Sequence, residues 1–467
     1  MRRRYRYSVI LLLSLVFFVV APAVLLYTNG YSYNWKKIRF EKTGLLVVET
    51  VPSGAQVYVN DKLQPQKTPL TVSRLLPDDY ALRLEHPGYL AWRKTVPVRS
   101  TESTFVKGLI MFREVLPRLD TAIDASAAAV RADGTAAVLS EDARWTELAL
   151  ATPAGQLTFL ARFPAGQIAH PDISWSPDGN RLMLTAESDG RGLLQVYRPA
   201  TEESLTVVPR PSRPSRDATG GLRLARWNAS GTAISALSDS GAVIWKGSGG
   251  FAEAIPGTAG AEDAILGDDG LYFIRRLPES RSATADVSAV PPPKALWRIP
   301  VDGSREAEKI SDLDDARLRF ADMAPGLVSI TRQDNGQLKT YPTAGGPPRV
   351  QGVGEHVRWE KAPGQGRMLV WNSFEVSVID PNSGWHDVIT RLSSPIADCA
   401  WHPAGLDVIC GTAEGVFAAE LDDRGGRNLF DLVRFPSVAG FALDAKGSVI
   451  YIVGAAGKLR GLYERPL

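Results

Sequence analysis

ISWSPDGNRLMLTA, residues 173–186, holds two apolar runs with a tight polar turn between them. Ser176-Pro177-Asp178-Gly179 has turn composition: proline presets one φ, and glycine accepts a conformation that other residues resist. The segment therefore reads as a β-hairpin. Other segments follow the same scheme: AAVRADGTAAVLS (128–140), LARWNASGTAISAL (224–237), AILGDDGLYFI (264–274) and FADMAPGLVSI (320–330). VRWEKAPGQGRMLVW (357–371), CAWHPAGLDVICG (399–411) and FALDAKGSVIYIVG (441–454) continue it. From Asp133 to Lys446 the spacing averages about 45 residues, the period of a four-stranded propeller blade. A third strand usually follows each hairpin, as at 194–197, 295–300, 376–380 and 415–421, and a fourth follows a polar turn, as at 204–208 and 386–390.

One four-stranded sheet cannot cover both its faces, whereas sheets stacked in a ring cover one another and leave only short edges. Residues 110–467 are therefore expected to form a β-propeller of eight blades, or of seven if the weak first or fifth hairpin is not one. The last repeat is short, ending after a strand at 458–464, so a strand near 112–116 is expected to supply its missing outer strand. A β-sandwich array or a β-helix is the competing architecture, and the period argues against both. The region resembles the TolB-like and WD-repeat propellers; its WSPDG turn favours the former, and the Gly-His and Trp-Asp marks of WD repeats are missing. Trp175, Trp227, Trp359 and Trp401 end first strands and read as inter-blade core, with sugar-stacking platforms on a rim as the alternative. Two Pro/Ser/Arg-rich stretches, 209–221 and 275–294, read as exposed loops.

A smaller β module precedes the propeller. Period-two alternation places strands at 45–50, 56–59, 70–72, 80–85 and 91–98, with turns at Pro52-Ser53-Gly54, Asn60-Asp61, Pro77-Asp78-Asp79 and Pro87-Gly88. Thr43-Gly44, Pro52-Ser53-Gly54-Ala55, Val57-Tyr58-Val59-Asn60, Thr68-Pro69-Leu70, Leu76-Pro77 with Tyr80, and Gly88-Tyr89 with Trp92 fall in the order of a PEGA domain, which residues 44–108 resemble. Ser53 replaces the glutamate that gives the family its name, and Asp78 stands where a glycine is expected. The resemblance implies a β-sandwich-like extracytoplasmic module concerned with surface attachment and protein contacts, not catalysis.

SVILLLSLVFFVVAPAVLLY, residues 8–27, carries no charge, and 20 helical residues span about 30 Å, the thickness of a hydrocarbon core. The preceding MRRRYR predicts that residues 1–7 form a short cytoplasmic tail. Tyr27, Tyr31, Tyr33 and Trp35 form an aromatic cluster on the outer side, in a juxtamembrane linker, 28–43. A cleaved signal peptide is the alternative, with Ala21-Pro22-Ala23 as the cut site; against it, the apolar run continues through Val24, Leu25 and Leu26, and Pro22 lies within the site. Either reading exports the rest of the chain. Residues 1–43 hold eight Lys/Arg against one Glu, which leaves 45 of 53 basic and 50 of 51 acidic side chains to the remainder, a balance of −5. Such a body offers no electrostatic footprint for nucleic acid.

Chemistry-bearing patterns are sparse. His86, His170, His356, His386 and His402 show no metal-ligand spacing and read as turn or surface residues, and no nucleophile elbow, phosphate loop or dinucleotide fingerprint occurs. No catalytic residue, metal or cofactor is expected. Asn228-Ala229-Ser230 matches the glycosylation pattern but overlaps a turn repeat. Cys399 and Cys410 flank one hairpin, and folding it between Ala404 and Gly405 sets them directly opposite each other. A non-hydrogen-bonded antiparallel pair brings Cα atoms to about 4.5 Å, within disulfide reach. A disulfide between them is expected, with two buried thiols as the alternative. The expected fold class is mainly β: transmembrane helix, PEGA-like module, propeller. The expected function is a non-enzymatic, single-pass membrane protein, inserted in the bilayer through 8–27, that presents the propeller to an envelope protein or cell-wall polymer. The alternative is an extracytoplasmic hydrolase or lyase acting on glycans or peptides, with its site in the propeller channel.

Overall fold

The computed structural model describes residues 2–210, 221–277, 293–301, 306–360 and 366–467. Most of the two proline-rich stretches expected as exposed loops lies outside these residues. The chain forms two compact units: Met1–Val115 with Glu420–Phe430, and Leu116–Ala419 with Asp431–Leu467.

In the first unit an unbroken apolar run gives a helix, Arg2–Thr28, which Pro22 does not interrupt. Within it, Val9–Thr28 is long and apolar enough to cross a membrane. The following stretch, read from sequence as a linker, folds into a hairpin in which Tyr31–Asn34 pairs with Arg39–Lys42. The β module is built from two sheets. Gly44–Val51 lies between Leu70–Leu75, antiparallel, and Ser103–Ile110, parallel. Gln56–Val59, Lys62–Leu63, Asp78–Glu85 and Trp92–Val98 make the other sheet. Alternation sends Leu46, Val48, Val57, Leu82, Leu84, Trp92 and Val96 into one core, each at most 1% exposed. The motif Pro52-Ser53-Gly54-Ala55 has a structural explanation. Gly54 takes φ +94°, and the buried Thr68 hydroxyl accepts from the amides of Gly54 (3.1 Å) and Ala55 (3.0 Å), so two distant motifs close one corner.

Glu420–Phe430 completes this unit around a buried charge. The Lys94 side chain is fully buried and its ammonium meets the Glu420 carboxylate, itself 5% exposed. Lys94 Nζ also donates to the Asp422 carbonyl (2.5 Å), and Glu420 accepts from Trp92 Nε1 (2.8 Å) and the Asn428 amide (2.9 Å). A charge this deep in a protein persists only when paired and hydrogen-bonded, and here both conditions hold.

The second unit is a ring of sheets. Among the described residues, eight sheets of four or five strands occur in it, each sheet adjoins the next, and the last returns to the first. Every hairpin expected from the turn repeat supplies the first two strands of one sheet, for example Ala169–Trp175 with Leu182–Ser188. Third strands follow at Arg191–Arg198, Lys294–Ile299, Glu375–Asp380 and Gly415–Glu420. The architecture is a β-propeller. Its closure differs from expectation in position: Arg118–Ala122, not 112–116, pairs with the last strand, Leu459–Pro466. The reason is packing. Met111 and Phe112 are buried, with Met111 in the first unit's core and Phe112 against Phe430 (5.3 Å), so neither is free to extend the last sheet.

Candidate functional site

The first strands of the sheets line the ring's interior, and their chemistry decides what the propeller can do. At the end of five of them lies a cavity of about 1070 Å³, between Ala128–Ala132, Ile173–Trp175, Arg358–Glu360, Ala397–Pro403 and Val438–Ala445. Its wall is mostly small and apolar: Ala128, Ala129, Val130, Ala397, Ala400, Gly411, Ala439, Gly440 and Ala442. Bulk comes from Trp175, Trp359 and Trp401, which the sequence placed at strand ends without showing that they would meet.

Trp175 and Trp401 are also fasteners, as is Trp227 on another sheet, whereas among the described residues Trp359 Nε1 is buried without a partner. Trp175 Nε1 donates to the Ala129 carbonyl of the preceding sheet (2.9 Å), Trp227 Nε1 to Ser174 (3.4 Å) and Trp401 Nε1 to Arg358 (3.0 Å). Four residues after each of these tryptophans stands the turn glycine: Gly179, Gly231 and Gly405. Its carbonyl accepts from an arginine of the preceding sheet, Arg131 (2.7 Å), Arg181 (3.1 Å) and Arg367 (2.8 Å) respectively. Arg131 and Arg367 also lie over the Trp175 and Trp401 rings, at 5.0 and 5.1 Å. The expected inter-blade role of these tryptophans is thus realised through side-chain donors as well as packing. Trp227 instead packs edge-on against Trp245, with ring centroids 6.4 Å apart.

The polar side chains at the cavity are engaged in the same way. Arg358 donates to the Cys399 carbonyl (2.7 Å) and to Asp398 (3.3 Å). Glu360 holds Arg367 through both oxygens, at 2.7 and 2.9 Å. Asp444 accepts from Ser448 and Val449 and closes its own turn. His402 opens the turn of its hairpin, in keeping with the turn reading, but it is buried, 4% exposed, rather than on the surface. Its Nδ1 accepts from the Ala404 amide (3.2 Å), so the ring is neutral and Nε2–H donates to the Gly447 carbonyl (2.9 Å). Burial pushes its pKa below 6.5, partly offset by the Gly447 bond. Among the other histidines, His86 meets Tyr89 edge-on (4.8 Å) and His356 stacks on Trp371 (5.3 Å). Among the described residues no three His, Cys, Asp or Glu side chains gather as a metal site.

A second inter-sheet device escaped the sequence reading. Asp263 and Asp398 sit where their first strands slip register against the second, and each accepts from the arginine that precedes a tryptophan on the sheet before. Arg226 grips Asp263 at 2.5 and 3.0 Å and also donates to the Phe320 carbonyl (3.3 Å), linking three sheets; Arg358 makes a single, longer bond to Asp398 (3.3 Å). The signal was available as Arg226-Trp227 and Arg358-Trp359, each followed some 40 residues later by an aspartate one blade on. Asn228 of the glycosylation pattern is spent locally: its Oδ1 accepts from the amides of Thr232 (2.9 Å) and Ala233 (3.0 Å). Cys399 and Cys410 are register partners, as the symmetric folding of their hairpin predicts, with Cα atoms 4.1 Å apart and sulfurs 2.03 Å apart.

Comparison with known proteins separates the units. Residues 43–111 match the PEGA domain. The PEGA domain accounts for the β module and includes the Ser103–Ile110 strand that the sequence reading left unassigned. A search of curated proteins finds no match. Among solved structures, the C-terminal WD40 domain of Sif2 aligns at 13% identity and TM-score 0.47, over 76% of this chain and 98% of that one. An oligogalacturonate lyase in complex with manganese aligns at 11% identity and TM-score 0.42, over 71% of this chain and 96% of that one. The oligogalacturonate lyase of Vibrio parahaemolyticus aligns at 10% identity and TM-score 0.41, over 70% and 96%.

Proposed function

We propose that the chain is a single-pass membrane protein, held by Val9–Thr28 with its N-terminus in the cytoplasm, that presents the PEGA domain and propeller outside the membrane as a non-enzymatic binding platform for an envelope protein or cell-wall polymer. The observation that carries this reading is the cavity wall. Small side chains leave room for an inserted loop or chain, three tryptophans offer flat apolar contact, and Arg358, Glu360, His402 and Asp444 are committed to a neighbouring strand and turns rather than aimed at a reacting centre. Preorganised, water-excluded groups converging on one point would support catalysis instead. The orientation follows from the four arginines ahead of the span.

The alternative, a hydrolase or lyase acting on glycans or peptides, draws on the presence of Arg358, Glu360, Asp398 and His402 in one wall. One experiment separates the two. The full chain, purified in mild detergent, is used as bait for solubilised envelope, with a photo-crosslinking residue in place of Ala397 or Ala439. Crosslinks to a defined envelope protein or polymer that is recovered uncut support the platform. Turnover of a glycan or peptide that is abolished by His402→Gln in a folded protein overturns it, as does the absence of any crosslink.

A further inference from the structure

We propose that the hairpin following the helix is a second lipid contact, a site for anionic phospholipid headgroups with an apolar tip seated at the membrane surface; this rests on the reading of Val9–Thr28 as a retained span. The hairpin begins three residues after the helix ends, pairing Tyr31–Asn34 with Arg39–Lys42. Its tip turns the usual order inside out. Trp35 is 84% exposed, Ile38 78% and Phe40 51%. Ile38 holds φ +51°, a conformation β-branched residues rarely take, and such strain persists where a position is functionally constrained. Lys36, Lys37, Arg39 and Lys42 surround these side chains, against one acid of the hairpin, Glu41, which meets Arg39 (2.5 Å) and Lys37 (3.5 Å).

The tip is preformed. Asn34 is buried; its Oδ1 accepts from the amides of Lys36 (3.0 Å) and Lys37 (3.2 Å), and its Nδ2 donates to Glu41 (2.8 Å). It also lies near the helix end. The Arg74 guanidinium lies over the Tyr27 ring at the helix end (3.6 Å), and Lys36 at the tip reaches Asp78 (3.5 Å). Arg74 and Asp78 flank one turn of the PEGA domain, so helix end and hairpin tip meet the same corner of it. A tryptophan, a phenylalanine and an isoleucine among lysines, a few residues beyond the span and beside the same PEGA corner as its end, have the composition of an interfacial anchor: aromatic and aliphatic groups at the acyl boundary, cations on phosphates.

The test uses the full chain reconstituted into vesicles, either neutral phosphatidylcholine or phosphatidylcholine with phosphatidylglycerol, containing lipids brominated near the headgroup. Trp35 is isolated as the difference in fluorescence quenching between the wild type and Trp35→Phe. Quenching of this difference signal in anionic vesicles, lost in a Lys36→Gln, Lys37→Gln, Arg39→Gln, Lys42→Gln variant, is the expected result. Flotation after an alkaline wash reports the span separately. A chain that floats while Trp35 stays unquenched, or is quenched equally in neutral vesicles, overturns the headgroup site and leaves the span standing. Shielding of Trp35 that requires added envelope protein also overturns it, in favour of a protein contact. A chain that does not float defeats the retained span and the hairpin proposal together.

Discussion

Replacing Lys94 by methionine keeps most of the side-chain volume but strips the Glu420 carboxylate of its counter-ion. In the native unit the Lys94 side chain is wholly buried and Glu420 is 5% exposed, with Asp422 Oδ1 3.8 Å from the ammonium as the next acid. After the change Glu420 retains the Trp92 and Asn428 donors, at 2.8 and 2.9 Å, but no compensating charge. Removing one member of a buried pair costs about 3–5 kcal/mol, because the orphaned charge stays desolvated. Adding Glu420→Gln removes that charge while preserving its shape, so the double variant should recover most of the loss and lie within about 1–2 kcal/mol of the wild type. Amide hydrogen exchange in the full chain is the suitable assay. The strand Trp92–Val98 and the segment Glu420–Phe430 report opening of this unit separately from the propeller. A Lys94→Met protein whose protection in these segments falls by less than about 0.5 kcal/mol, or a double variant no better than the single one, would refute the buried-pair argument.

Three other outcomes follow from the propeller. Trp175→Phe keeps an aromatic ring but loses the bond to the Ala129 carbonyl, and leaves a carbonyl short of a partner; a loss of about 1 kcal/mol by denaturant unfolding is expected, and none if the indole N–H is idle. The His402 pKa is depressed, so the fold favours neutral imidazole: its contribution is present above pH 6.5 and declines as pH falls below that value, and the pH dependence of Tm in this range should flatten in His402→Gln. Alkylation of the folded, oxidised protein should modify neither Cys399 nor Cys410 until a reductant is added, by mass; two freely alkylated thiols would exclude the bridge.

What could be read along the chain was whatever is local. A 20-residue uncharged run makes a span-length helix wherever it lies, a turn dipeptide between apolar runs makes a hairpin, and hairpin register follows from the turn's centre, which is why Cys399 faced Cys410 on paper as in the fold. The PEGA motif was legible for a related reason: Gly54 answers a backbone demand at a corner, and such demands restrict residue type. Tertiary structure decided the rest. Ser103–Ile110 lies parallel to Gly44–Val51, and Arg118–Ala122 closes the ring on Leu459–Pro466; such pairings join segments tens to hundreds of residues apart and depend on chain path, not on local pattern. Trp175 and Trp401 bond to backbone carbonyls, which every residue possesses, so the acceptors leave no trace in sequence. The burial of Lys94 was likewise invisible, because its partners come from a segment more than 300 residues away and only the folded chain supplies the low dielectric that makes the pairing matter.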